Sequence, residues 1–513
     1  MNTCKEKLTK FCTFAAFKKR TVYMASNTLQ IKKDAYDKEL ESWVKKEKAS
    51  ADLLNAVSKL IYEKSVELVF FRNTLIDVSC SEIQKLHKYA KDIISKNIDI
   101  YVTSSLANEL LNIEHLAPSK LDIGKLSDEW SHQKDNYTSM SAFLSDKLNE
   151  TIGPDIPNFE PRDVVLYGFG RIGRLLAREL IRLSGRGQQL KLKAIVTRPS
   201  GDDIIKRSSL LKMDSVHGEF KGSIIEDFEN KALIINGQIV KMIEANKPDE
   251  IDYESYGISN ALLIDNTGAF RDRESLALHL KSKGIKKVML TAPGKGDLPN
   301  IVYGVNHEEQ DIENETIFTA ASCTTNAIVP ILKVIDDNFG IEKGHIETVH
   351  AYTNDQNLLD NMHKKHRRGR SAAINMVITE TGSASAIAKV IPKLKDKMTA
   401  NSVRVPIPNG SLAIMNITVK KETSIEDINA ILKKAALEGP LVSQIKYSID
   451  RELVSSDIVG NSCSSVYDSA ATIVSPDKKS MVLYVWYDNE YGYTKQVIRL
   501  AKHVSNVRRF VYF

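Results

Sequence analysis

The sequence predicts an α/β protein with a doubly wound parallel sheet, followed by an α+β domain and preceded by a helical N-terminal extension. Three observations predict this arrangement. Residues from about 27 to 150 carry apolar side chains at helical spacing, short strands alternate with helices between 161 and 322, and strands dominate after residue 323. At 513 residues the chain is long enough for about three domains of roughly 150 residues each.

The N-terminal extension, residues 1–160, consists of a helical region and a linker. Leu53, Val57 and Leu60 share one helical face, and the same spacing recurs further along. Residues 153–161 contain three prolines and no periodicity, which is typical of a linker. No catalytic constellation occurs in the extension, so we expect a packing or oligomerisation module.

The beginning of the extension is basic. Its first 23 residues hold six basic side chains and one acidic side chain. This composition resembles a weak organelle-targeting segment. The interpretation that we favour is an unstructured tail, or translation that truly starts at Met24.

A glycine motif follows the first predicted strand, residues 163–167, and precedes an amphipathic helix and a second strand at 193–196. This order forms the dinucleotide fingerprint of Rossmann-type domains, because glycines let the backbone approach a pyrophosphate and the helix N-terminus stabilises its charge. We therefore interpret residues 161–322 as an NAD(P)-binding domain. The motif residues expected at the cofactor are Gly168, Gly170, Arg171, Ile172 and Gly173.

Two later strands also lead into polar turns. Residues 261–265 lead to Thr267, and residues 287–290 lead to Thr291. Ligands of doubly wound sheets bind at the carboxyl ends of strands, so both threonines are candidate cofactor residues. Beyond this domain we interpret residues 323–488 as the α+β domain and residues 489–513 as a C-terminal helix that returns to the cofactor domain.

Cys323 lies after a β-prone stretch and at the start of an apolar, helix-like segment. A thiol at a helix N-terminus faces the positive end of the macrodipole and unpaired N–H groups, which favour the thiolate. The neighbouring hydroxyls and the amide of Asn326 make this setting polar, unlike that of a cysteine acting as a small hydrophobe. We interpret Cys323 as a nucleophile, and we expect Pro330 to distort the helix after it.

Four motifs occur in order along the C-terminal part of the chain. They are Ser322-Cys323-Thr324-Thr325-Asn326, Thr348-Val349-His350-Ala351-Tyr352-Thr353, Arg404-Val405-Pro406 and Trp486-Tyr487-Asp488-Asn489-Glu490. Together they closely resemble the phosphorylating glyceraldehyde-3-phosphate dehydrogenases, in a longer bacterial-type branch with an N-terminal extension. The resemblance implies reversible oxidation of D-glyceraldehyde 3-phosphate to 1,3-bisphosphoglycerate, in glycolysis or gluconeogenesis, by a cytoplasmic homotetramer.

The resemblance also implies the roles of site residues. Cys323 attacks the aldehyde and His350 handles the protons, so that a hemithioacetal and then a thioester form on the cysteine and inorganic phosphate attacks the thioester. His345 lies an odd number of positions before His350, so it should point to the other face of the strand. The residues implied to hold the sugar phosphate and inorganic phosphate are Ser322, Thr324, Thr353, Arg368, Thr381, Gly382 and Arg404.

Cofactor choice departs from the common pattern. The resemblance places Asn489 at the nicotinamide carboxamide, with Tyr493 framing the ring. Many relatives have an acidic residue after the second strand that accepts bonds from the ribose hydroxyls, whereas this chain has Arg198 there. An arginine favours a 2′-phosphate, so the sequence favours NADP or dual use over NAD alone.

Composition limits the remaining alternatives. The net charge of +6 suits anionic metabolites as well as nucleic acid, but the extension mixes acids with lysines, so nucleic acid is not expected. No apolar run reaches the roughly 20 residues that span a bilayer. Five widely spaced cysteines predict neither a disulfide framework nor a metal site. Two alternatives stay open: erythrose 4-phosphate as substrate, and a binding role for the extension.

Overall fold

The computed structural model describes residues 35–153, 160–185, 187, 189–199 and 204–513. The predicted targeting segment, the choice of start residue and most of the predicted linker lie outside the described residues. Among those described, no helix is both long enough and apolar enough to cross a membrane.

The chain forms two compact units, and the division between them does not fall at residue 160, where the extension was predicted to end. The first contains the described residues up to Leu60, then Leu68–Glu114 and Asp122–Asn149. The second contains Ile61–Glu67, His115–Leu121 and Glu150–Phe513. Two short internal pieces of the first 160 residues, together with the residues from Glu150 onward, therefore belong to the same unit as the two large sheets.

The first unit is helical, which confirms the predicted fold class for this part of the chain. Residues 35–59 are helical, and Leu53 and Val57 are buried on that helix. A buried carboxylate, Asp122, caps one helix and also accepts hydrogen bonds from the backbone N–H groups of Phe71 and Arg72. The other helices of this unit are Cys80–Asp92, Ile100–Asn112, Ile123–Gln133 and Met140–Lys147.

The second unit contains a Rossmann-like sheet of eight strands, of which six are parallel and two antiparallel strands complete one edge. The chain starts in the middle, builds outward to one side and then returns to build the other side. This reversal leaves a crevice at the carboxyl ends of two neighbouring strands, where doubly wound sheets bind ligands. The strand order is Ile317–Thr319, Ile285–Leu290, Ala261–Asp265, Arg162–Tyr167, Leu190–Thr197, Gln238–Glu244, Ala232–Ile235, Ile224–Asp227.

Helices cover this sheet. The helix Arg171–Leu183 follows the glycine motif, and the C-terminal helix Tyr491–Val504 packs beside it. Apolar residues of the C-terminal helix, including Val497 and Leu500, belong to the same buried core as the sheet. The shorter helices of the cofactor region are Ile204–Lys212 and Arg273–Ala277.

A second mixed sheet follows. The strand Ile341–Ala351 pairs in parallel with Met398–Val405, and this register places His350 beside Arg404. On its other side it pairs antiparallel with Ser411–Val419. The remaining strands are Val377–Thr379, Ile445–Ser448, Ser465–Asp468, Ile473–Val474 and Ser480–Tyr487, and the helices are Cys323–Phe339, Ser383–Val390 and Ile425–Leu437.

Pro330 does not end the helix that it was expected to distort. The helix runs from Cys323 to Phe339 with Pro330 inside it, and nearly every residue from Thr324 to Ile335 is buried. A proline in a helix interior costs about 3 kcal/mol. Burial of this many apolar side chains offsets that cost, so tertiary packing overrides the local preference.

Candidate active site

Cys323 occupies the first position of its helix, directly after the turn that leaves the first sheet. The Ser322 Oγ atom caps this helix by accepting a hydrogen bond of 3.0 Å from the Thr325 backbone N–H. The Asn326 side chain closes the turn by donating to the carbonyl oxygens of Ala320 and Ser322. The polar residues around the cysteine therefore build the turn that presents the thiol.

The turn contains a strained residue that the C-terminal helix holds in place. Ala321 has a φ of 52°, a left-handed conformation that costs a residue with a Cβ roughly 1–2 kcal/mol. The Tyr493 hydroxyl donates a hydrogen bond of 2.9 Å to the Ala321 carbonyl. The sequence implies a place beside the nicotinamide ring for Tyr493. Because its hydroxyl is engaged here and its ring is buried in the core, it instead positions the Cys323 turn.

His350 approaches the thiol with one defined nitrogen. Its Nε2 atom lies 3.6 Å from the Cys323 Sγ atom, and its Nδ1 atom lies 2.7 Å from the Ala351 carbonyl oxygen. A carbonyl oxygen only accepts hydrogen bonds, and this contact is the shorter of the two that Nδ1 makes, so we assign the proton to Nδ1. The Nε2 lone pair therefore faces the thiol and is oriented to take its proton.

Arg404 places a positive charge beside both groups. Its Nη1 atom donates to the Ala351 carbonyl at 2.8 Å and lies 3.1 Å from His350 Nδ1. Burial, aided by this guanidinium, lowers the pKa of His350 to about 3. Burial also raises the pKa of the Cys323 thiol, and Arg404 offsets only part of that rise. At neutral pH the pair therefore consists of a thiol and a neutral imidazole.

This protonation state differs from the thiolate that the sequence predicts. Removal from water disfavours the charged form of a cysteine, and at Cys323 it outweighs the nearby positive charge. The thiol must therefore lose its proton during attack on a substrate, and His350 is the acceptor within reach.

One cavity surrounds this pair, and it is lined by most of the residues implied to bind phosphate. Thr353 is not among the lining residues, but its hydroxyl lies 3.4 Å from Arg404 Nη1. The implied phosphate residues that line the cavity are Ser322, Thr324, Arg368, Thr381, Gly382 and Arg404.

Arg368 is buried and already has a carboxylate partner. Its Nε atom donates to the Thr379 hydroxyl at 2.9 Å, and its guanidinium pairs with Asp355. The neighbouring Arg370 pairs with Asp360 at 2.8 Å on the surface. Only Arg368 of these two arginines reaches the cavity.

His345 lies outside the site. Its side chain is 45% exposed, and its Nδ1 atom is 2.8 Å from the Thr399 hydroxyl. The buried His350 lies on the other face of the same strand, because successive side chains of a strand alternate between faces.

A second cavity lies at the glycine motif. It is lined by Gly168, Gly170, Thr267 and Arg198, together with residues from the strand ends. A Cβ atom on Gly173 would lie 2.3 Å from the Gly168 carbonyl oxygen, and a Cβ on Gly170 would meet nothing within 4 Å. The close approach requires glycine at 173, while the open space at 170 leaves room for a ligand beside the backbone. These features fit a dinucleotide pyrophosphate.

The Arg171 side chain does not line this cavity, although the sequence places Arg171 among the cofactor residues. Its guanidinium pairs with Glu490 and, at 3.1 Å, with Asp214. His217 approaches the same Glu490 carboxylate at 3.0 Å. Arg171 therefore joins the glycine loop to the start of the C-terminal helix, and only its backbone N–H remains for an anion. The side chain of Ile172 likewise packs on the core.

Asn489 connects the C-terminal segment to the catalytic strand. Its Oδ1 atom accepts a hydrogen bond of 2.8 Å from Ser411, and the Ser411 hydroxyl in turn accepts one of 3.1 Å from the Ala351 backbone N–H. The amide nitrogen of Asn489 remains as a donor. Thr291 is also engaged, because its hydroxyl donates to the Asp265 carbonyl at 3.0 Å.

Three contributors escaped the sequence reasoning. The Tyr487 hydroxyl lies 3.1 Å from that of Thr324. Tyr487 belongs to the motif that contains Asn489, so the sequence could have identified it as a site residue. Lys389 donates to three carbonyl oxygens of the loop 294–298 at the cavity mouth. Arg207 lines the cofactor cavity with Arg198. No local pattern marks Lys389 or Arg207, since only the fold brings them to these cavities.

Loss of the Tyr493 hydroxyl should weaken the Cys323 turn. We expect Tyr493→Phe to destabilise the protein by about 1 kcal/mol, the net contribution of one hydrogen bond. We also expect kcat for aldehyde oxidation to fall severalfold with little change in cofactor KM, because the thiol loses its alignment. Thermal unfolding and steady-state kinetics measure the two effects.

Tyr491→Phe is the matched control, since it removes a hydroxyl from the same helix that makes no hydrogen bond to described residues. Equal losses of kcat in both variants would contradict the role assigned to Tyr493.

Comparison with known proteins agrees with this geometry. Residues 162–273 match the family model described as the glyceraldehyde 3-phosphate dehydrogenase NAD binding domain, and residues 322–489 match that of the C-terminal domain. A glyceraldehyde-3-phosphate dehydrogenase-like protein of Pseudomonas aeruginosa is 46% identical over 459 residues, which is 89% of this chain and 98% of that protein. This match is long enough to include much of the N-terminal extension.

Shorter relatives match the C-terminal two thirds. Glyceraldehyde-3-phosphate dehydrogenase of Clostridium pasteurianum is 40% identical over 67% of this chain and 99% of its own length. The chloroplastic glyceraldehyde-3-phosphate dehydrogenase A of Zea mays is 38% identical over 72% of this chain and 90% of its own length. With both family models and these relatives in agreement, the chain is an oxidoreductase that belongs to the glyceraldehyde-3-phosphate dehydrogenase family.

Proposed function

We propose that this protein oxidises D-glyceraldehyde 3-phosphate to 1,3-bisphosphoglycerate with NAD(P) and inorganic phosphate, reversibly, in cytoplasmic glycolysis or gluconeogenesis. The observation that carries the proposal is the 3.6 Å approach of Cys323 Sγ to His350 Nε2, in a cavity that also contains Arg368 and Arg404. A nucleophile, a base and two guanidinium groups are what a phosphorylating oxidation of a sugar phosphate needs.

Proton transfer in this proposal depends on His350. As the Cys323 sulfur bonds to the aldehyde carbon, Nε2 takes the thiol proton and passes it to the developing alkoxide, which gives a neutral hemithioacetal. Nε2 then removes that hydroxyl proton as the carbon loses hydride, and a thioester remains on Cys323. The bound nicotinamide supplies the hydride acceptor. Phosphate then attacks the thioester, the C–S bond breaks, and the protonated His350 returns its proton to the leaving sulfur as the acyl phosphate is released.

Arg404 couples anion binding to this base. In the absence of an anion, its charge helps to lower the pKa of His350. A phosphate held by Arg404 would compensate that charge and raise the basicity of the imidazole. Substrate or phosphate binding would therefore activate the base at the moment it is needed. Ser322, Thr324, Thr353, Arg368, Thr381 and Gly382 complete the proposed anion sites.

The proposed cofactor residues belong to the glycine motif, the strand ends and the C-terminal segment. Backbone N–H groups of the motif and Thr267 would face the pyrophosphate and ribose, and Asn489 would donate to the nicotinamide carboxamide. Arg198 and Arg207 line the same cavity. Two guanidinium groups suit a 2′-phosphate, which supports acceptance of NADP.

Cys323→Ser should abolish phosphate-dependent oxidation while cofactor binding is retained, because an alcohol beside His350 is a far weaker nucleophile than a thiol. Steady-state kinetics and cofactor titration measure the two properties. Substantial turnover by this variant would exclude the thioester route. For the unmodified protein, catalytic efficiencies on glyceraldehyde 3-phosphate and erythrose 4-phosphate, with and without phosphate, decide the substrate.

Arg198→Asp should shift cofactor preference towards NAD. A charge-assisted contact contributes about 1.5–3 kcal/mol, so we expect efficiency with NADP to fall roughly ten- to a hundredfold. The unmodified protein should use NADP at least as well as NAD. Kinetics with both cofactors test this expectation.

Arg207→Gln is the companion variant to Arg198→Asp. It should lower the catalytic efficiency with NADP without raising that with NAD, because it introduces no carboxylate for the ribose hydroxyls. If Arg198→Asp lowers the catalytic efficiency with both cofactors equally, Arg198 does not contact the 2′ position of the ribose.

We also propose that the protein is a homotetramer. The segment 358–376 exposes large apolar side chains, with exposed fractions of 72% for Leu358, 91% for Met362 and 80% for Ile374. Exposed apolar groups in one segment are typical of an interface. We expect a tetramer by sedimentation equilibrium, and a smaller species for the double variant Met362→Asp/Ile374→Asp. A monomeric unmodified protein at micromolar concentration would contradict the proposal.

A further inference from the structure

Three cations of the second compact unit gather around one buried carboxylate, and none of them lines either cavity. Arg509 is buried, whereas Lys120 and Lys502 are partly exposed. Lys120 lies on the strand Ser119–Asp122, which pairs in parallel with Phe510–Tyr512, and Arg509 directly precedes this second strand. Lys502 comes from the C-terminal helix. We call Lys120, Lys502 and Arg509 the C-terminal cation cluster.

One carboxylate serves these three cations. Glu67 is buried and pairs with Lys120 at 3.1 Å. Although burial raises the pKa of Glu67, the cations Lys120, Lys502 and Arg509 lower it to about 2, so this carboxylate is ionised. Among the described residues, neither Lys502 nor Arg509 has a carboxylate within 4.0 Å. Burial also lowers the pKa of Lys502 to about 7. At neutral pH the cluster and Glu67 together therefore carry an excess of roughly one to two positive charges.

Arg509 is the cluster's most informative member. It is 6% exposed, and its Nε and Nη2 atoms are buried without a hydrogen-bond partner among the described residues. Within the described part of the chain, the acceptor of Lys502 is the neutral Gln189 side chain at 2.7 Å. Unpaired buried charge is costly, and buried guanidinium groups normally find acceptors. Arg509 therefore presents two donors to a group that the described residues do not supply.

One hydroxyl group extends this donor set. Ser505 follows Lys502 by three positions, at the end of the same helix. Its side chain is buried, and its Oγ atom has no hydrogen-bond partner among the described residues. Guanidinium, ammonium and hydroxyl donors together form the chemistry that binds a tetrahedral oxyanion.

We propose that the C-terminal cation cluster binds a small tetrahedral dianion, namely inorganic phosphate or the phosphate group of a small metabolite. A dianion offsets the excess positive charge and supplies acceptors to Arg509 and Ser505. The site differs from the catalytic phosphate sites, and it is built partly from segments 61–67 and 115–121 of the first 160 residues. Binding there connects these segments to the end of the C-terminal helix Tyr491–Val504, which begins two residues after Asn489.

The test uses the full chain with Arg404→Gln, which weakens phosphate binding at the catalytic cavity. Thermal unfolding is compared in chloride and in inorganic phosphate at equal ionic strength, and titration calorimetry gives the phosphate Kd. Phosphate should raise Tm in this background. Adding Arg509→Gln should remove the rise in Tm and increase the remaining phosphate Kd at least tenfold. Arg508→Gln changes the exposed neighbour, so it should leave both the rise in Tm and the phosphate Kd unchanged.

Behaviour in chloride separates a ligand site from a structural cation. If Arg509 awaits an anion, Arg509→Gln removes an unpaired buried charge and should not lower Tm in chloride. An equal fall of Tm in both buffers would show that Arg509 is only structural, and an unchanged phosphate effect would show binding elsewhere. Either result overturns the proposal.

Two further variants and one further ligand complete the design. Arg509→Lys should keep most of the phosphate effect, and Lys502→Gln should reduce it, so the proposal remains testable if Arg509→Gln does not fold. Glycerol 3-phosphate tested beside inorganic phosphate distinguishes a free anion from a phosphate ester. If neither stabilises the Arg404→Gln background, the proposal fails.

Discussion

The approach of the Cys323 thiol to His350 depends on two sheets ending at the same place. Cys323 comes from the turn after the edge strand of the cofactor sheet, and His350 comes from the central region of the second sheet. Neither residue is positioned by its own element alone. The thiol depends on a strained Ala321 held by Tyr493, and the imidazole depends on the Ala351 carbonyl, which also receives Arg404.

The C-terminal segment connects these parts. Within a few residues it contacts the catalytic strand through Asn489 and Ser411, the glycine loop through Glu490 and Arg171, and the cysteine turn through Tyr493. Helix packing provides the rigidity that such contacts need, because apolar residues of this helix share the core of the cofactor sheet. The C-terminal segment therefore fixes the relative positions of the glycine loop, the Cys323 turn and the strand that carries His350.

Burial and positive charge act together at two places in the second unit. At the cavity around Cys323, burial and the charge of Arg404 together lower the pKa of His350, and a bound anion would offset the contribution of Arg404. At the C-terminal cation cluster the same physical condition recurs, with Arg509 buried and without an acceptor. In both places a positive charge in a poorly solvated setting is stabilised most by a ligand of opposite sign.

The sequence by itself determined the fold class and the chemical candidates. Strand–glycine–helix order predicts a Rossmann-type domain because the glycines meet a local steric need, which Gly173 shows directly. Cys323 and His350 stand in motifs of adjacent residues, so they could be recognised without knowing their distance. The helical periodicity around Leu53 likewise reflects local geometry, and the structure buries that face.

Only the tertiary structure decided properties that arise between distant segments. Desolvation keeps Cys323 protonated, although its position at a helix N-terminus suggests a thiolate. Arg171 is an ion-pair partner of Glu490, more than three hundred residues away, and Arg509 directly precedes a strand that pairs with Ser119–Asp122 of the extension. Charge balance, burial and pairing depend on which segments meet in space, and local sequence patterns carry no information about that.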